Sequence, residues 1–296
     1  MVETQPTGRF APSPTGDLHF GSLVAAVASY LNAKSRGGTW LIRVEDIDPP
    51  REVAGSADRI LSALQRFGMR SDKPVLFQGQ RKAQHRACVE DLVKRGLAYW
   101  CGCSRKDLPP SGVYPGTCRS GIPPGKAKRA VRLRVGAEVI EFNDLVQGPV
   151  SEDLQASTGD FVIWRADGLP AYQLAVVLDD AHQGVTEIVR GHDLLESTAR
   201  QIHVAQCLGL RVASYAHHPV VIAQDQQKLS KRLRSDPIDV LSRAETLTRA
   251  LWFLGQPCPA GLALNEVWRW AIENWELSLV PRMAGSDAID QPPVSR

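Results

Sequence analysis

The sequence has little that would suit a membrane protein or a secreted, disulfide-linked one. Its 296 residues include only six cysteines, too few for a disulfide framework. The longest nearly apolar run, residues 23–31, has nine residues, whereas a membrane-spanning helix needs about twenty. The first residues lack a basic stretch followed by an apolar one, so a secretory leader is not expected. We therefore expect a soluble globular protein located in the cytoplasm.

Neither sign of charge dominates the sequence, because the net charge is only +3, but the cations are clustered. Residues 101–134 hold eight Lys or Arg and one acid, whereas residues 135–160 hold six acids and neither Lys nor Arg. A second basic run contains Lys228, Lys231, Arg232 and Arg234. Clustered cations are typical of sites that neutralise phosphates, so they favour RNA as a partner. A solvated surface remains the alternative for either cluster alone.

The pattern of apolar residues predicts an α/β fold with a parallel sheet. A strand-like segment at residues 8–11 leads through a turn into a helix at about 21–36, and residues 39–44 predict the next strand. Strand, helix and strand at this spacing are typical of parallel strands covered by helices. The later predicted elements are helices at about 53–67, 80–95 and 194–208, strands at 131–135, 161–165, 186–190 and 219–222, and a helical region from 238 to about 277.

Two short segments carry residues suited to binding phosphates. Residues 9–22 read RFAPSPTGDLHFGS, which places a Gly/Pro turn and then His19 and Gly21 at a predicted helix start. Backbone N–H groups at a helix start attract anions, and a histidine can donate to phosphate oxygens. Residues 228–232 read KLSKR, and two lysines three apart can stabilise a transferring phosphate. Taken singly, a structural histidine and a surface basic loop are the simpler interpretations.

Together with two further blocks, these segments resemble the glutamyl-tRNA synthetase family of class I aminoacyl-tRNA synthetases. The further blocks are RVEDID at residues 43–48, followed by Arg51, and VRGHDLLESTARQ at residues 189–201. The four segments occur in the family's order across residues 9–232. The resemblance implies a Rossmann-type catalytic domain that condenses glutamate with ATP into glutamyl-adenylate and then esterifies RNA.

The resemblance also implies roles for individual residues. The glutamate site would consist of Arg9, Ser13, Glu45, Tyr172 and Arg190. The physical chemistry agrees, because a zwitterionic acid needs guanidinium groups for its carboxylates and an anion for its ammonium group. Catalytic contacts to the ATP phosphates would come from His19, Ser22, Lys228 and Lys231, with Gly21 beside the nucleotide, and Mg²⁺ is expected with ATP. Ser22 replaces a second histidine that many class I enzymes have in the first signature.

The length of the chain points to one branch of this family. Only 64 residues follow Arg232, too few for the large anticodon-reading region of a full glutamyl-tRNA synthetase. The chain therefore resembles the glutamyl-Q tRNA(Asp) synthetases, which load glutamate onto queuosine in the anticodon of tRNA(Asp). The expected partners are this tRNA, glutamate and ATP, and we expect a monomer.

A cysteine-containing segment predicts a metal site. Cys101, Cys103 and Cys118 lie within 18 residues of a Gly/Pro-rich segment that has little core of its own. Small modules of this kind are often held by one structural Zn²⁺ with sulfur ligands. In the glutamyl-Q branch a tyrosine is the fourth ligand, and Tyr114 matches it. Three free or core cysteines are the alternative, and the other three, Cys88, Cys207 and Cys258, are expected in the core.

The predicted organisation is a discontinuous catalytic domain interrupted by one insertion. Residues 8–98 and 172–236 would form the Rossmann-type domain, and residues 99–171 a zinc-bearing subdomain whose basic run faces RNA. Residues 237–296 would form a helical region, without an anticodon-binding domain. The alternative functions are a minimal glutamyl-tRNA synthetase that charges tRNA(Glu), a nucleotidyltransferase acting on a small molecule, and a non-catalytic RNA-binding paralogue.

Overall fold

The computed structural model describes residues 5–222 and 241–287. Its first part alternates strands and helices: β1 (Thr7–Phe10), α1 (Phe20–Lys34), β2 (Thr39–Val44), α2 (Ser56–Arg66), β3 (Leu76–Phe77) and α3 (Lys82–Lys94). β1, β2 and β3 pair in parallel, in that order across the sheet. The parallel pairing confirms the fold class expected from the sequence.

The next part of the chain contains β4 (Ala98–Cys101), β5 (Ala130–Leu133), β6 (Val139–Asp144), β7 (Gly148–Asp153), α4 (Leu154–Ser157) and β8 (Phe161–Trp164). β4, β5 and β8 form a separate antiparallel sheet. β6 and β7 form a hairpin, and this hairpin joins the other sheet through β10 (Ser214–His218), which runs parallel to β6. The hairpin thus pairs with β10 and not with the sheet of β4, β5 and β8.

The chain then returns to the parallel layer with α5 (Tyr172–Gln183), β9 (Glu187–Gly191), α6 (Thr198–Leu208), β10 and β11 (Val220–Ile222). β9 and β10 pair in parallel from Ser214 opposite Glu187 onward. The backbone N–H of Thr186 donates to the carbonyl of Thr7 over 2.9 Å, which brings β9 beside β1. The carboxyl ends of β1, β2 and β9 therefore meet along one edge, where open α/β sheets bind their ligands.

The described C-terminal part consists of α7 (Arg243–Phe253), α8 (Leu264–Asn274) and the short strand β12 (Gly285–Asp287), which pairs with β11. α7 and α8 pack on α1, and their apolar residues belong to the same hydrophobic core as α1 and β2. A second core lies between α3, α5, α6 and the β4–β5–β8 sheet. Among the described residues, no helix is long and apolar enough to cross a membrane.

Candidate active site and metal-binding cluster

Three residues predicted to bind glutamate lie at the carboxyl ends of neighbouring parallel strands. Arg9 is the third residue of the four-residue strand β1, Glu45 directly follows β2, and Arg190 lies near the end of β9. All three are buried, with 3%, 8% and 4% of their surfaces exposed. Charged side chains this deep need partners, because transferring an isolated charge out of water is costly. Each of the three charges therefore has hydrogen-bonding partners within the protein.

Arg9 and Arg43 converge on one buried carboxylate, that of Asp180 in α5. The Nε of Arg9 donates to Asp180 Oδ1 over 3.0 Å, and the Nη1 of Arg43 donates to the same oxygen over 2.7 Å. Burial opposes ionisation of Asp180, but the two guanidinium groups outweigh it and hold the pKa of this carboxyl below its usual value. Arg43 also donates through Nη2 to Glu45 Oε1 over 3.3 Å. Asp180 thus fixes both arginines beside Glu45.

Glu45 and Tyr172 face a small cavity at this edge of the sheet. The cavity has a volume of about 60 Å³, and Ser13, Glu45 and Tyr172 are among its lining residues. Burial raises the pKa of Glu45, and the charges of Arg43 and Arg9 oppose this shift. Burial and the charge of Glu45 raise the pKa of Tyr172, so its hydroxyl stays protonated and can donate a hydrogen bond. Ser13, Glu45 and Tyr172 therefore share one cavity, and Arg9 and Arg190 lie near enough to act electrostatically on the Tyr172 hydroxyl.

Arg190 is held by hydrogen bonds to neutral groups. Its Nε donates to His217 Nε2 over 2.9 Å, and its Nη1 donates to Gln201 Oε1 over 2.8 Å. Its Nη2 donates to Thr198 Oγ1 over 2.9 Å and to the carbonyl of Leu194 over 3.2 Å. These four bonds fix the plane of the guanidinium, and Arg190 also acts electrostatically on the Tyr172 hydroxyl.

The predicted phosphate site lies at the start of α1. His19 is the residue that caps this helix: its Nδ1 accepts from the backbone N–H of Ser22 over 3.3 Å, and its Nε2 lies 2.9 Å from the Ser22 hydroxyl. A Cβ at Gly21 would lie 3.4 Å from the imidazole ring, at van der Waals contact, so Gly21 packs directly beside His19. His19, Gly21 and Ser22 thus cluster at a helix N-terminus, where the helix dipole favours anions. Lys228 and Lys231 lie outside the described residues.

The three cysteines of the predicted metal site converge in the structure. The sulfur atoms of Cys101, Cys103 and Cys118 all lie within 4.8 Å of one another, and all three residues are buried. Cys103 Sγ lies 3.7 Å from Cys118 Sγ, and the Tyr114 hydroxyl lies 3.3 Å from Cys101 Sγ and 3.7 Å from Cys103 Sγ. A tetrahedral zinc site with Zn–S bonds of about 2.3 Å separates its sulfurs by about 3.8 Å. The cluster therefore has the spacing and the chemistry of a metal-binding site.

The basic run beside this cluster, which is expected from the sequence to face RNA, is partly engaged in contacts within the protein. Arg119 forms an ion pair with the buried Asp160, and Arg134 lies over the Tyr99 ring, 4.8 Å from its centroid. Arg132 is buried: it lies 3.7 Å over the ring centroid of Tyr114, and its Nε donates to Cys101 Sγ over 3.4 Å. Arg132 is therefore not accessible to RNA, whereas Arg119 and Arg134 keep part of their side chains exposed despite these partners. Lys128 and Arg129 remain exposed.

The other three cysteines lie apart from the cluster. Cys258 is buried, as predicted, whereas Cys88 and Cys207 are only half-buried at the edge of the second core. Burial raises the pKa of Cys88 and that of Cys258 to about 11. Both thiols therefore stay protonated at neutral pH, which does not suit a nucleophile or a metal ligand.

Several residues of the site escaped the sequence analysis. Asp180 belongs to an acidic pair, Asp179-Asp180, that directly follows five apolar residues in α5, and two acids after such a run could have drawn attention to it. Two adjacent histidines in β10, of which His217 supports Arg190, were a similar signal. Asp144 gave no signal, because it is one of six acids in a polar stretch.

Comparison with known proteins first defines the class. The family model described as tRNA synthetases class I (E and Q), catalytic domain, matches residues 6–110 and 122–251. The chain therefore belongs to this family of class I tRNA synthetases. A glutamate–tRNA synthetase from Elizabethkingia anophelis has the same fold, with a TM-score of 0.80 at 23% identity, over 95% of this chain and 68% of that one.

More similar relatives narrow the class to one branch. The chain is 51% identical over 289 residues to the glutamyl-Q tRNA(Asp) synthetase of Dechloromonas aromatica, a match that covers 94% of this chain and 96% of that protein. It is 51% identical over 283 residues to the protein of the same name from Pseudomonas aeruginosa, again over 94% and 96%. The resemblance to this branch, expected from the length of the chain and its cysteine-containing segment, is confirmed.

Proposed function

We propose that this protein activates glutamate with ATP to glutamyl-adenylate and transfers the glutamyl group to queuosine in the anticodon of tRNA(Asp). The observation that carries the proposal is the likeness to glutamyl-Q tRNA(Asp) synthetases, which extends over 96% of the length of those relatives. Because the likeness covers whole relatives, it supports the same acceptor as well as the same activation chemistry.

For glutamate, the proposed ligands are Arg9, Ser13, Glu45, Tyr172 and Arg190. Arg9 and Arg190 supply cations for the two carboxylates, and Glu45 supplies an anion for the ammonium group. Support comes from the burial of Arg9, Glu45 and Arg190 and from the cavity shared by Ser13, Glu45 and Tyr172. A buried site strengthens each charge–charge contact, because the effective dielectric constant is lower than in water. The rigid arginines thus favour a dicarboxylic amino acid over a neutral one.

For ATP, the proposed ligands are His19, Gly21 and Ser22 at the start of α1, together with Lys228 and Lys231. An oxygen of the glutamate α-carboxylate attacks the α-phosphorus of ATP, and pyrophosphate leaves. The protein contributes positioning and charge stabilisation in this step, and the His19–Ser22 contact supports such a role. Mg²⁺ bound with ATP would neutralise phosphate charge. AMP leaves in the second step, when queuosine accepts the glutamyl group.

The metal proposed for the cysteine cluster is one structural Zn²⁺, held by Cys101, Cys103, Cys118 and Tyr114. The donor set fits, because three soft sulfurs and one oxygen surround a single point at suitable separations. The few apolar residues around the cluster support a structural role, since the loop between β4 and β5, which carries three of the four proposed ligands, has little other core. Bound zinc would fix the loop between β4 and β5.

The proposed organisation follows from these sites. We propose residues 8–98 and 172–236 as the catalytic domain, residues 99–171 as the zinc-bearing insertion, whose β6–β7 hairpin pairs with β10 of the catalytic domain, and residues 237–296 as a region that is helical over its described helices α7 and α8. Since the proposed acceptor is a tRNA, we place the activity in the cytoplasm, and we propose that the protein acts as a monomer.

The decisive experiment measures glutamate-dependent ATP–pyrophosphate exchange, with and without RNA, and then glutamate transfer to defined tRNAs. We expect exchange without RNA, and transfer to tRNA(Asp) that contains queuosine but not to unmodified tRNA(Asp) or to tRNA(Glu). Transfer to tRNA(Glu) instead would make the protein a minimal glutamyl-tRNA synthetase. Absence of exchange under every condition would refute the proposal and favour a non-catalytic RNA-binding protein or a nucleotidyltransferase with another substrate.

Two variants test the proposed glutamate ligands within this assay. Arg190→Met should raise the glutamate KM strongly, because it removes a buried cation that faces a carboxylate. The matched control is Arg36→Met, which removes a half-exposed arginine that pairs with Glu187 outside the site. Equal glutamate KM values for the two variants would contradict the assignment of Arg190.

A further inference from the structure

Behind Arg190 lies a buried chain of two hydrogen bonds that the proposed chemistry does not use directly. Asp144, at the end of β6, lies 2.6 Å through Oδ2 from His217 Nδ1, and His217 Nε2 lies 2.9 Å from Arg190 Nε. Asp144 and His217 are 1% and 0% exposed. The other carboxylate oxygen of Asp144 accepts from the backbone N–H groups of Val146, Gln147 and His217. This network leaves little freedom for the His217 ring.

The network dictates which nitrogen of His217 carries the proton. Arg190 Nε always donates, so His217 Nε2 must accept and cannot carry a hydrogen. The proton therefore lies on Nδ1, where it is donated to the Asp144 carboxylate. Burial lowers the pKa of His217, and the nearby charge of Arg190 lowers it further, against the opposing effect of Asp144. The imidazole is thus neutral, with one fixed tautomer.

The support of Arg190 differs from that of Arg9, the other arginine proposed to bind a glutamate carboxylate. Arg9 pairs directly with the carboxylate of Asp180, which offsets part of its positive charge. Within residues 5–222 and 241–287, no carboxylate lies within ion-pair distance of Arg190, and the nearest link to an anion runs through the neutral His217 ring. Arg190 is therefore rigidly oriented and yet keeps its full charge for a ligand.

We propose that His217, with its tautomer set by Asp144, is a positioning residue that orients Arg190 toward a glutamate carboxylate without neutralising it. This inference rests on the proposed glutamate site. Neither His217 nor Asp144 contacts substrate in this proposal, and both act through the guanidinium. A direct carboxylate partner would hold Arg190 as firmly, but it would compete with the substrate for the same charge.

The test is Asp144→Asn, an isosteric change that reverses one hydrogen bond. The amide Oδ1 keeps the three backbone N–H bonds, whereas the amide Nδ2 donates to His217 Nδ1. The proton of His217 must then move to Nε2, where it meets the N–H of Arg190. We expect the glutamate KM in exchange to rise about tenfold or more, as for loss of a charge-assisted hydrogen bond, while the ATP KM stays within about twofold.

The tautomer of His217 can also be measured directly. If His217 had only a structural role, its tautomer would not be expected to change together with the glutamate KM. Nitrogen-15 NMR of the histidine rings should show the His217 proton on Nδ1 in the parent protein and on Nε2 in Asp144→Asn. The matched control is Asp179→Asn, because Asp179 forms a similar buried pair with His85, 2.9 Å from its Nε2, which does not contact Arg190. This control should leave the glutamate KM within about twofold of the parent value.

The outcomes separate this inference from the proposed glutamate site. If Arg190→Met leaves the glutamate KM unchanged, the site itself is wrong. If Arg190→Met raises it but Asp144→Asn leaves it unchanged, or raises the glutamate and ATP KM values alike, the positioning role of His217 is overturned. Should Asp144→Asn not fold, His217→Gln, which keeps an acceptor, is compared with His217→Phe, which does not. We expect the glutamate KM of His217→Gln to be lower than that of His217→Phe, and equal KM values for the two variants would overturn the inference.

Discussion

Arginine serves three different purposes in this molecule, depending on the partner of each guanidinium. Arg9 is paired with a buried carboxylate, Arg190 is held by neutral groups, and Arg132 covers the cysteine cluster. An arginine is always charged and planar, so its neighbours decide whether it neutralises, binds or packs. A count of cations in the sequence cannot separate these purposes, which explains why the basic run was interpreted as an RNA-facing or a solvated surface.

At the residue scale, the position of Arg132 gives a prediction about metal affinity. Three thiolates and a phenolate around Zn²⁺ would carry a net negative charge, and Arg132 offsets it from above the Tyr114 ring. Arg132→Met should therefore weaken zinc binding by about 10- to 100-fold, the usual effect of removing a residue that supports metal ligands. The measurement is the zinc dissociation constant in competition with a chelator.

Arg134, which lies just after the end of β5, offers a control for this prediction. Arg134→Met removes a cation that lies over Tyr99, a ring that is not a proposed metal ligand. Its zinc affinity should stay close to that of the parent protein. Equal zinc affinities for the Arg132 and Arg134 variants would show that Arg132 does not support the cluster.

The sequence identified those site residues that belong to local motifs and missed those that act over a distance. Arg9, Glu45 and Arg190 lie in recognisable blocks, and the structure brings them to one edge of the sheet. Asp180 lies 171 residues from Arg9 in the chain, and Asp144 lies 73 residues from His217. No local pattern encodes such pairs, because they depend on how β6, β10 and α5 are brought together.

At the scale of elements, the tight turn before β8 controls the position of Tyr114. Gly159 has a positive φ of 65°, and a Cβ at this position would lie 2.4 Å from the Tyr114 carbonyl oxygen. Gly159→Ala should therefore displace Tyr114. The clash should lower the free energy of unfolding by roughly 1–3 kcal/mol, in addition to the loss caused by placing alanine at a positive φ. Denaturant unfolding of the zinc-loaded protein measures this loss.

The same insertion contains a glycine that separates the two effects. Gly168 has a φ of 80°, and a Cβ there would meet no atom within 4 Å. Gly168→Ala should cost only the backbone strain, about 1 kcal/mol. If both alanine variants lose the same stability, the close approach of Gly159 to Tyr114 is not important.

Helices and strands with a clear periodicity of apolar residues were predicted well, and strands that depend on pairing with distant parts of the chain were not. β2 was predicted with the observed bounds, and α1 was predicted within two residues at each end. The hairpin of β6 and β7 was missed, because polar residues alternate along it and its pairing with β10 lies far away in the chain. β10 was missed as well, since its two histidines do not resemble a buried strand.

At the scale of the whole molecule, buried titratable groups predict how stability depends on pH. Burial lowers the pKa of His218 to about 4, whereas an unfolded histidine titrates near 6.5. Between these values the unfolded chain binds more protons than the folded protein, so the free energy of unfolding rises with pH. Each pKa unit of difference contributes about 1.4 kcal/mol.

Four buried carboxyl groups extend this dependence to lower pH. Hydrogen bonds and nearby cations, acting against burial, lower the pKa values of Asp144, Asp160, Asp179 and Asp180. Their contribution is complete above the unfolded pKa near 4 and is lost as the pH falls through the folded values. Glu45, whose pKa is raised by burial, acts in the opposite direction. The net result is a protein that loses stability from pH 6.5 downward.

Denaturant unfolding at several pH values between 4.5 and 7 tests this prediction. His218→Asn, which can still donate to the Pro219 carbonyl, should show a flatter dependence than the parent protein. His182→Asn, at an exposed position near the end of α5, is the control and should follow the parent curve. Parallel curves for all three proteins would mean that His218 does not contribute.

The pairing of β9 with β1 has a consequence for synthesis on the ribosome. Thr7, near the start of the chain, contacts Thr186, which is 179 residues later. β1 and β9 therefore cannot pair until Thr186 has been synthesised. The antiparallel sheet of β4, β5 and β8 needs only residues 98–164, so it can form while β9 is still untranslated. Because nearby segments meet sooner than distant ones, we expect the insertion to assemble first. The supply of zinc during translation would then influence how much of the nascent protein reaches an active form.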